Sequence, residues 1–253
     1  MAFLNWRAKK RLSFLFLFLA FFVFLVVFVV YFSKSEPTCF DKEKNQNEED
    51  IDCGGPCISC VVNPKDIIVL WTRVFKTSEG VYEVASLIKN PNLFYGIPVL
   101  KYTFKVYDSA NILVSIKEGQ TFINPQDEFL IFFTGVETGK REVAKAFVEV
   151  EPLSDWKYVA EKMPSLVVSD KNFSNSPFPV MRVRLFNESL FSVENIFATI
   201  VLYDDEENVT AISSTVVDFI QGRANRDIVF TWQTPFEKEP VSSKIFTRIN
   251  LID

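Results

Sequence analysis

The segment Phe104-Lys105-Val106-Tyr107-Asp108 is met again 96 residues later as Ile200-Val201-Leu202-Tyr203-Asp204. Side chains alternate across a strand, so Phe104 and Val106 share one face and Tyr107 points the other way. Asp108 then opens a turn by accepting backbone N–H bonds. The same reading holds for Ile200, Leu202, Tyr203 and Asp204. Three further pairs echo one another. Asn90 and Phe94 in the stretch Lys89–Phe94 match Asn187 and Phe191 in Phe186–Phe191 at an offset of 97; Glu128–Phe133 is similar to Arg226–Thr231; and Lys145-Ala146-Phe147 is similar to Lys244-Ile245-Phe246 at an offset of 99. A nearly constant offset across separated segments reads as two tandem copies of one domain.

Around these anchors, short runs rich in Val, Ile, Phe and Tyr alternate with Asn, Asp, Pro and Gly, the pattern of a mainly β protein. Expected strands in the first copy are Ile67–Phe75, Val81–Lys89, Val99–Tyr107, Ile112–Glu118, Phe129–Gly135 and Val143–Val150. In the second they are Pro164–Asp170, Val180–Asn187, Ile196–Tyr203, Val209–Val217, Asp227–Trp232 and Lys244–Leu251. Strands of this length with regular turns predict two β-sandwiches, residues 61–153 and 164–253, joined by a linker over 154–163. Ser154-Asp155-Trp156-Lys157-Tyr158 is expected to end the first sandwich or pack at the junction, and so short a connection leaves little swing.

Asn-Pro closing one strand, followed by F-x-[VL]-Y-D and a turn, resembles the FxLYD and late-embryogenesis-abundant type-2 group of immunoglobulin-like sandwiches. The resemblance covers residues 61–253. Glu188 stands in place of the proline and Ile200 in place of the motif Phe in the second copy. Membership would imply immunoglobulin-like domains of a kind found outside membranes as anchored or secreted modules, and it speaks to fold more than to function.

Upstream, Leu12 to Ser33 is a run of 22 residues without a charge. As a helix rising about 1.5 Å per residue it spans the hydrocarbon core of a bilayer. It is apolar all round, longer than the apolar region of a cleaved signal, and leaves through Tyr31–Glu36 without a small-residue cleavage pattern. A single-pass transmembrane anchor over 12–33 is expected. Arg7, Lys9, Lys10 and Arg11 place the short N-terminus, 1–11, in the cytoplasm and residues 34–253 outside the cell membrane.

The four cysteines fall within residues 34–60 as C-x13-C-x3-C-x2-C: Cys39, Cys53, Cys57 and Cys60. Four thiolates suit zinc, but an extracytoplasmic location favours two disulfides, with three pairings open. The intervening acids approximate calcium-loop spacing, with Asp52 eleven positions after Asp41. Gln46 replaces the turn glycine of an EF-hand and Asp52 its bidentate Glu. The segment is similar to a short membrane-proximal motif, C-x-D-G-x-x-N-x-x-E-x-D-x-D-C-G-G-x-C-x-x-C. Cys39, Asp41, Asn45, Glu48, Asp50, Asp52, Cys53, Gly54, Gly55, Cys57 and Cys60 match it, with Lys42 at the first glycine. Asp41, Asn45, Glu48, Asp50 and Asp52 are the candidate calcium (Ca2+) ligands; the alternative is a stapled acidic spacer.

Charge and composition exclude several functions. Residues 1–35 hold five basic groups and no acid, which leaves 22 basic against 32 acidic residues in the remainder, a net charge of −10. Such a surface repels phosphate backbones, so no nucleic-acid partner is expected. There is no histidine, which removes Ser-His-Asp and Cys-His catalysis and His-ligated metals. Ser154-x-x-Lys157 lacks the S-D-N and K-T-G companions of the Ser-Lys enzymes, and no phosphate loop or nucleophile elbow occurs. Asn172, Asn187 and Asn208 head glycosylation sequons. The expectation is a non-catalytic cell-surface protein presenting two sandwiches to an envelope protein, a glycan or a second copy of itself. The alternative is an accessory scaffold subunit of a secretion or export assembly.

Overall fold

The computed structural model describes residues 6–32, 38–48, 51–57, 64–151, 153 and 155–252. The chain divides into two compact units, Met1–Val62 and Asn63–Asp253. In the first, α1 runs from Trp6 to Phe32, 27 residues. It starts before the expected Leu12 because Trp6 and the basic residues after it are ordinary helix formers, and Lys10 Nζ sits 4.4 Å from the Trp6 ring centre one turn away. Its stretch Lys10–Phe28 has a mean hydropathy of 2.6 and none of it is buried, so the helix is long and apolar enough to cross a membrane.

The second unit is all β. The first copy comprises β1 (Ile68–Ser78), β2 (Val81–Lys89), β3 (Tyr95–Asp108), β4 (Leu113–Ile123), β5 (Glu128–Glu137) and β6 (Val143–Val150). After β7 (Lys157–Tyr158), the second copy comprises β8 (Leu166–Ser174), β9 (Val180–Asn187), β10 (Val193–Tyr203), β11 (Val209–Ile220), β12 (Asn225–Thr231) and β13 (Ser242–Arg248). Sheet orders are β1-β2-β5 and β4-β3-β6 in the first copy, and β8-β9-β12 and β11-β10-β13 in the second. The two topologies correspond strand for strand, as the sequence echoes require. β3 begins four residues before the expected Val99. Pro98, which has no N–H for a ladder, falls where the register with β4 shifts between Ile97 and Leu100, so the strand continues through a bulge. The stretch 154–163 is not a bare linker: Lys157 and Tyr158 pair with Gly96 and Tyr95, and Trp156 packs on the first core.

Each copy closes on its own core. Phe104, Val106, Ile88, Leu100 and Phe129 lead the first, and Leu185, Ile196, Ile200, Leu202 and Phe230 the second. A third core joins the copies. Ala85 and Leu87 of β2 and Leu130 of β5 meet Val201 of β10, Val209 and Ile212 of β11 and Phe246 of β13. Sheet β1-β2-β5 therefore lies face to face on sheet β11-β10-β13, and four sheets stack in series. Period-2 alternation explains the double burial: along β2, Tyr82, Val84 and Ile88 point inward while Ala85 and Leu87 point at the other copy. Sheet packing, more than the length of the connection, holds the copies together.

Candidate functional site

Three groups of side chains bear on function: the cysteine module, the repeated motif residues, and a cleft between the sandwiches.

In the module, Cys39 and Cys57 form a disulfide across 18 residues, and Cys53 is disulfide-bonded too. Cys60 and Asp50 lie outside the described residues. The Cys39 and Cys57 sulfurs come within 4.8 Å of a Glu48 oxygen, yet bonded to each other they offer no thiolate to a metal. The acids serve the backbone. Asp52, 3% exposed, accepts the N–H groups of Asp41 (3.0 Å) and Lys42 (3.1 Å). Glu48 Oε2 accepts those of Asn45 (3.2 Å) and Asp52 (3.1 Å). Asp41 accepts from Thr38 N (2.9 Å), Glu43 N (2.9 Å) and Asn45 Nδ2 (2.8 Å), and these donors hold its carboxyl below the usual range. Asp41, Asn45, Glu48 and Asp52 are thus brought together, oriented by backbone donors; Asn45 Oδ1 is buried without a partner. Lys42 has a φ of +63°, the left-handed conformation that favours glycine, which accounts for glycine at that place in the motif. Gly55, φ +58°, is required by space, since a Cβ there would lie 2.6 Å from Asn47 O.

The repeated residues carry the architecture. Phe104 is fully buried, as is Leu202, while Tyr107 leans on Phe147 with ring centres 5.9 Å apart and Tyr203 packs on the third core. Asp108 Oδ1 accepts the N–H groups of Ala110 (3.0 Å) and Ile112 (2.9 Å); Asp204 Oδ1 accepts those of Glu206 (2.9 Å) and Asn208 (2.8 Å). Both are the turn openers expected from the sequence, and the donated bonds lower the Asp204 pKa. Asn90 and Asn187 are fully buried clamps. Asn90 Nδ2 donates to Tyr95 O (2.7 Å) and Asn124 O (2.8 Å); Asn187 Nδ2 donates to Phe191 O (2.9 Å), Ile220 O (3.0 Å) and Gln221 O (3.2 Å). Burial closes the Asn187 sequon in the folded chain, whereas Asn172 and Asn208 are exposed.

The cleft was not legible as a site. It encloses about 1090 Å³ between the β1–β2 hairpin and β5 of the first copy and β11 and the segment after β12 of the second. Glu83 of β2 lines it, on the same strand face as Ala85 and Leu87, where the third core ends. The Ile212 backbone lies against the Glu83 carboxyl and partly opposes the effect of its burial. The Ile212 carbonyl accepts Trp232 Nε1 at 3.0 Å, which brings the indole to the same cleft. Glu83 Oε2 is buried and has no hydrogen-bond partner. The sequence signal is a single acid on the otherwise apolar outer face Val81-Glu83-Ala85-Leu87, a face too apolar to be left to solvent.

Burial raises the Glu83 pKa from 4.5 to about 7, partly opposed by the Ile212 backbone. The folded chain therefore holds a proton that the unfolded chain releases between those two values. Stability is greatest below pH 4.5, falls as pH rises through about 7, and is level above it with respect to this group. Discounted for partial exposure, the fall amounts to about 2 kcal/mol. Urea unfolding of wild type and Glu83→Gln at pH 5 and pH 8 checks it: the variant should lack this component, and equal slopes in both would assign the carboxyl an ordinary pKa.

Compared with protein-family models and with curated proteins, the chain matches none.

Proposed function

We propose that this chain is a membrane-anchored, non-catalytic recognition protein of a cell envelope. In this reading α1 is a single-pass anchor with its basic end in the cytoplasm, and residues 34–253 lie outside. The cysteine module is a stapled stalk, and the fused sandwiches, immunoglobulin-like by their motifs, present a surface to an envelope protein or a glycan. The observation that carries the reading is the order along the chain: basic residues, an unburied apolar helix of spanning length, then a disulfide-bonded segment. Disulfides persist in oxidising compartments, and the positive-inside rule points the same way. The four-sheet stack also favours a second reading, a scaffold subunit of a secretion or export assembly, because face-to-face packing restrains the two copies.

A cysteine introduced at Leu190, 82% exposed, tests the topology. No free cysteine occurs among the described residues, so a membrane-impermeant maleimide applied to intact cells should label Leu190→Cys in a chain of full length. Labelling only after lysis would overturn the orientation, and a shortened chain would make α1 a cleaved signal. Exchanging α1 for an unrelated spanning helix separates the two roles: recognition should survive it, and an assembly that contacts the anchor should not.

A further inference from the structure

The cleft between the sandwiches holds the constellation that a positively charged amine requires. Glu83 reaches it from the first copy and Trp232 from the second, where the Ile212 carbonyl holds the indole. Neither copy alone contains the pair. A carboxylate and an indole lining one cleft suit a cation, by charge pairing and by cation–π attraction. Phe132 and Phe236 add apolar wall for an aliphatic stem, while Thr231 and Gln233 supply polar groups.

Charge agrees with this chemistry. The groups lining the cleft that can carry charge are Lys76 on β1, Glu79 in the β1–β2 turn, Glu83, and Glu237 after β12; β5 and β11 contribute none. Three acids against one base attract a cation and repel an anion. No ion pair of Glu83 with Lys76 occurs. Glu83 Oε2 meets no donor, and Glu83 lines the cleft. A buried carboxyl oxygen without a donor is a costly arrangement to maintain for structure alone.

We propose that this cleft is a receptor site for a primary ammonium group on an aliphatic stem, with Glu83 as counter-ion and Trp232 as aromatic wall. The group is either a lysine side chain of a protein partner or a free diamine. The inference deepens the recognition reading by naming what is recognised. It does not depend on membrane orientation, so the labelling experiment and the binding experiment fail separately.

The test is calorimetric titration of the full-length chain in detergent with cadaverine, with an acetylated and amidated pentapeptide bearing one central lysine, and with maltotriose. At least one amine should bind at pH 8, and the better of the two identifies the source. Binding should weaken about tenfold at pH 6, where the Glu83 carboxyl, burial having raised its pKa to about 7, is mostly protonated. Glu83→Gln keeps the shape of the side chain and removes the charge, so it should fold with an unchanged or higher Tm and bind the amine at least tenfold more weakly. Lys76→Met removes the competing internal cation and should tighten binding. No amine binding in the millimolar range, binding unchanged by Glu83→Gln, or binding of maltotriose alone would each overturn the proposal.

Discussion

Replacing Arg248 with alanine should destabilise the 63–253 unit by about 3–5 kcal/mol, the usual loss when one partner of a buried ion pair is removed. The Arg248 side chain is 10% exposed and that of Asp127 8%, and they bring β13 of the second copy against the turn before β5 of the first. Nε donates to Asp127 Oδ2 at 2.9 Å with Nη2 2.8 Å from the same oxygen, Nη1 lies 3.3 Å from Thr121 Oγ1, and Nη2 donates to Phe122 O. The guanidinium is stacked 3.7 Å from the Phe129 ring centre and 4.2 Å from that of Phe122. Burial lowers the Arg248 pKa and raises that of Asp127 despite their attraction, so desolvation is a large part of the balance. Alanine would leave the Asp127 carboxylate buried with no cation beside it. Lysine, a point charge without the planar fork, should recover only part of the loss. Replacing both partners, as in Asp127→Leu with Arg248→Met, should be far milder than Arg248→Ala alone, because no charge is then stranded. Urea denaturation of the purified chain measures all four proteins. A loss below about 1 kcal/mol for Arg248→Ala would mean that the pair is solvated and that the two copies part at this point.

The second large effect is expected at Asn187, where alanine should cost about 3 kcal/mol. The carboxamide donates to three carbonyls and accepts from Ser189 N (3.0 Å) and Ser189 Oγ (2.6 Å), all at a site with no solvent exposure. Alanine strands these groups and removes the tie between the end of β9 and the end of β11. Aspartate is a sharper probe: it keeps the two accepted bonds but has no amide to donate, so it should be at least as damaging as alanine at neutral pH. Asn90→Ala should show a loss of the same kind in the first copy, where Asn90 Oδ1 also accepts Asn92 N at 3.0 Å and Asn92 Nδ2 at 2.8 Å. Since the two clamps belong to separate cores, the double variant should be additive within about 0.5 kcal/mol. Strong non-additivity would show that the cores unfold as one network rather than through independent local ties.

The repeat and the periodicity of the strands were written in local sequence. Val81–Lys89, Val143–Val150 and Val180–Asn187 occur with the limits expected from their alternation, because turn residues bound each run. Lys157–Tyr158 was not foreseen as a strand, since two residues carry no period. The strand Lys244–Leu251 ends at Arg248 because Leu251 N donates to Asn124 Oδ1 across the copies (3.1 Å) instead of continuing the ladder. Asp108 and Asp204 were legible because an aspartate acts on amides two and four residues away. Asn90 and Asn187 were legible only as matching positions; their partners lie 33–34 residues downstream as well as nearby.

By itself, the sequence determined an apolar helix, a cysteine-rich acidic segment and two copies of one mainly β domain, because each of these is set by neighbours within a few residues or by repetition along the chain. The tertiary structure alone decided that the copies fuse through a third core, that Arg248 meets Asp127, and that Glu83 and Trp232 line one cleft. Those contacts join residues far apart in the sequence, 121 positions in the case of Arg248 and Asp127. Alternation along a strand says that a face is apolar, but only the packing of the sheets says what covers it.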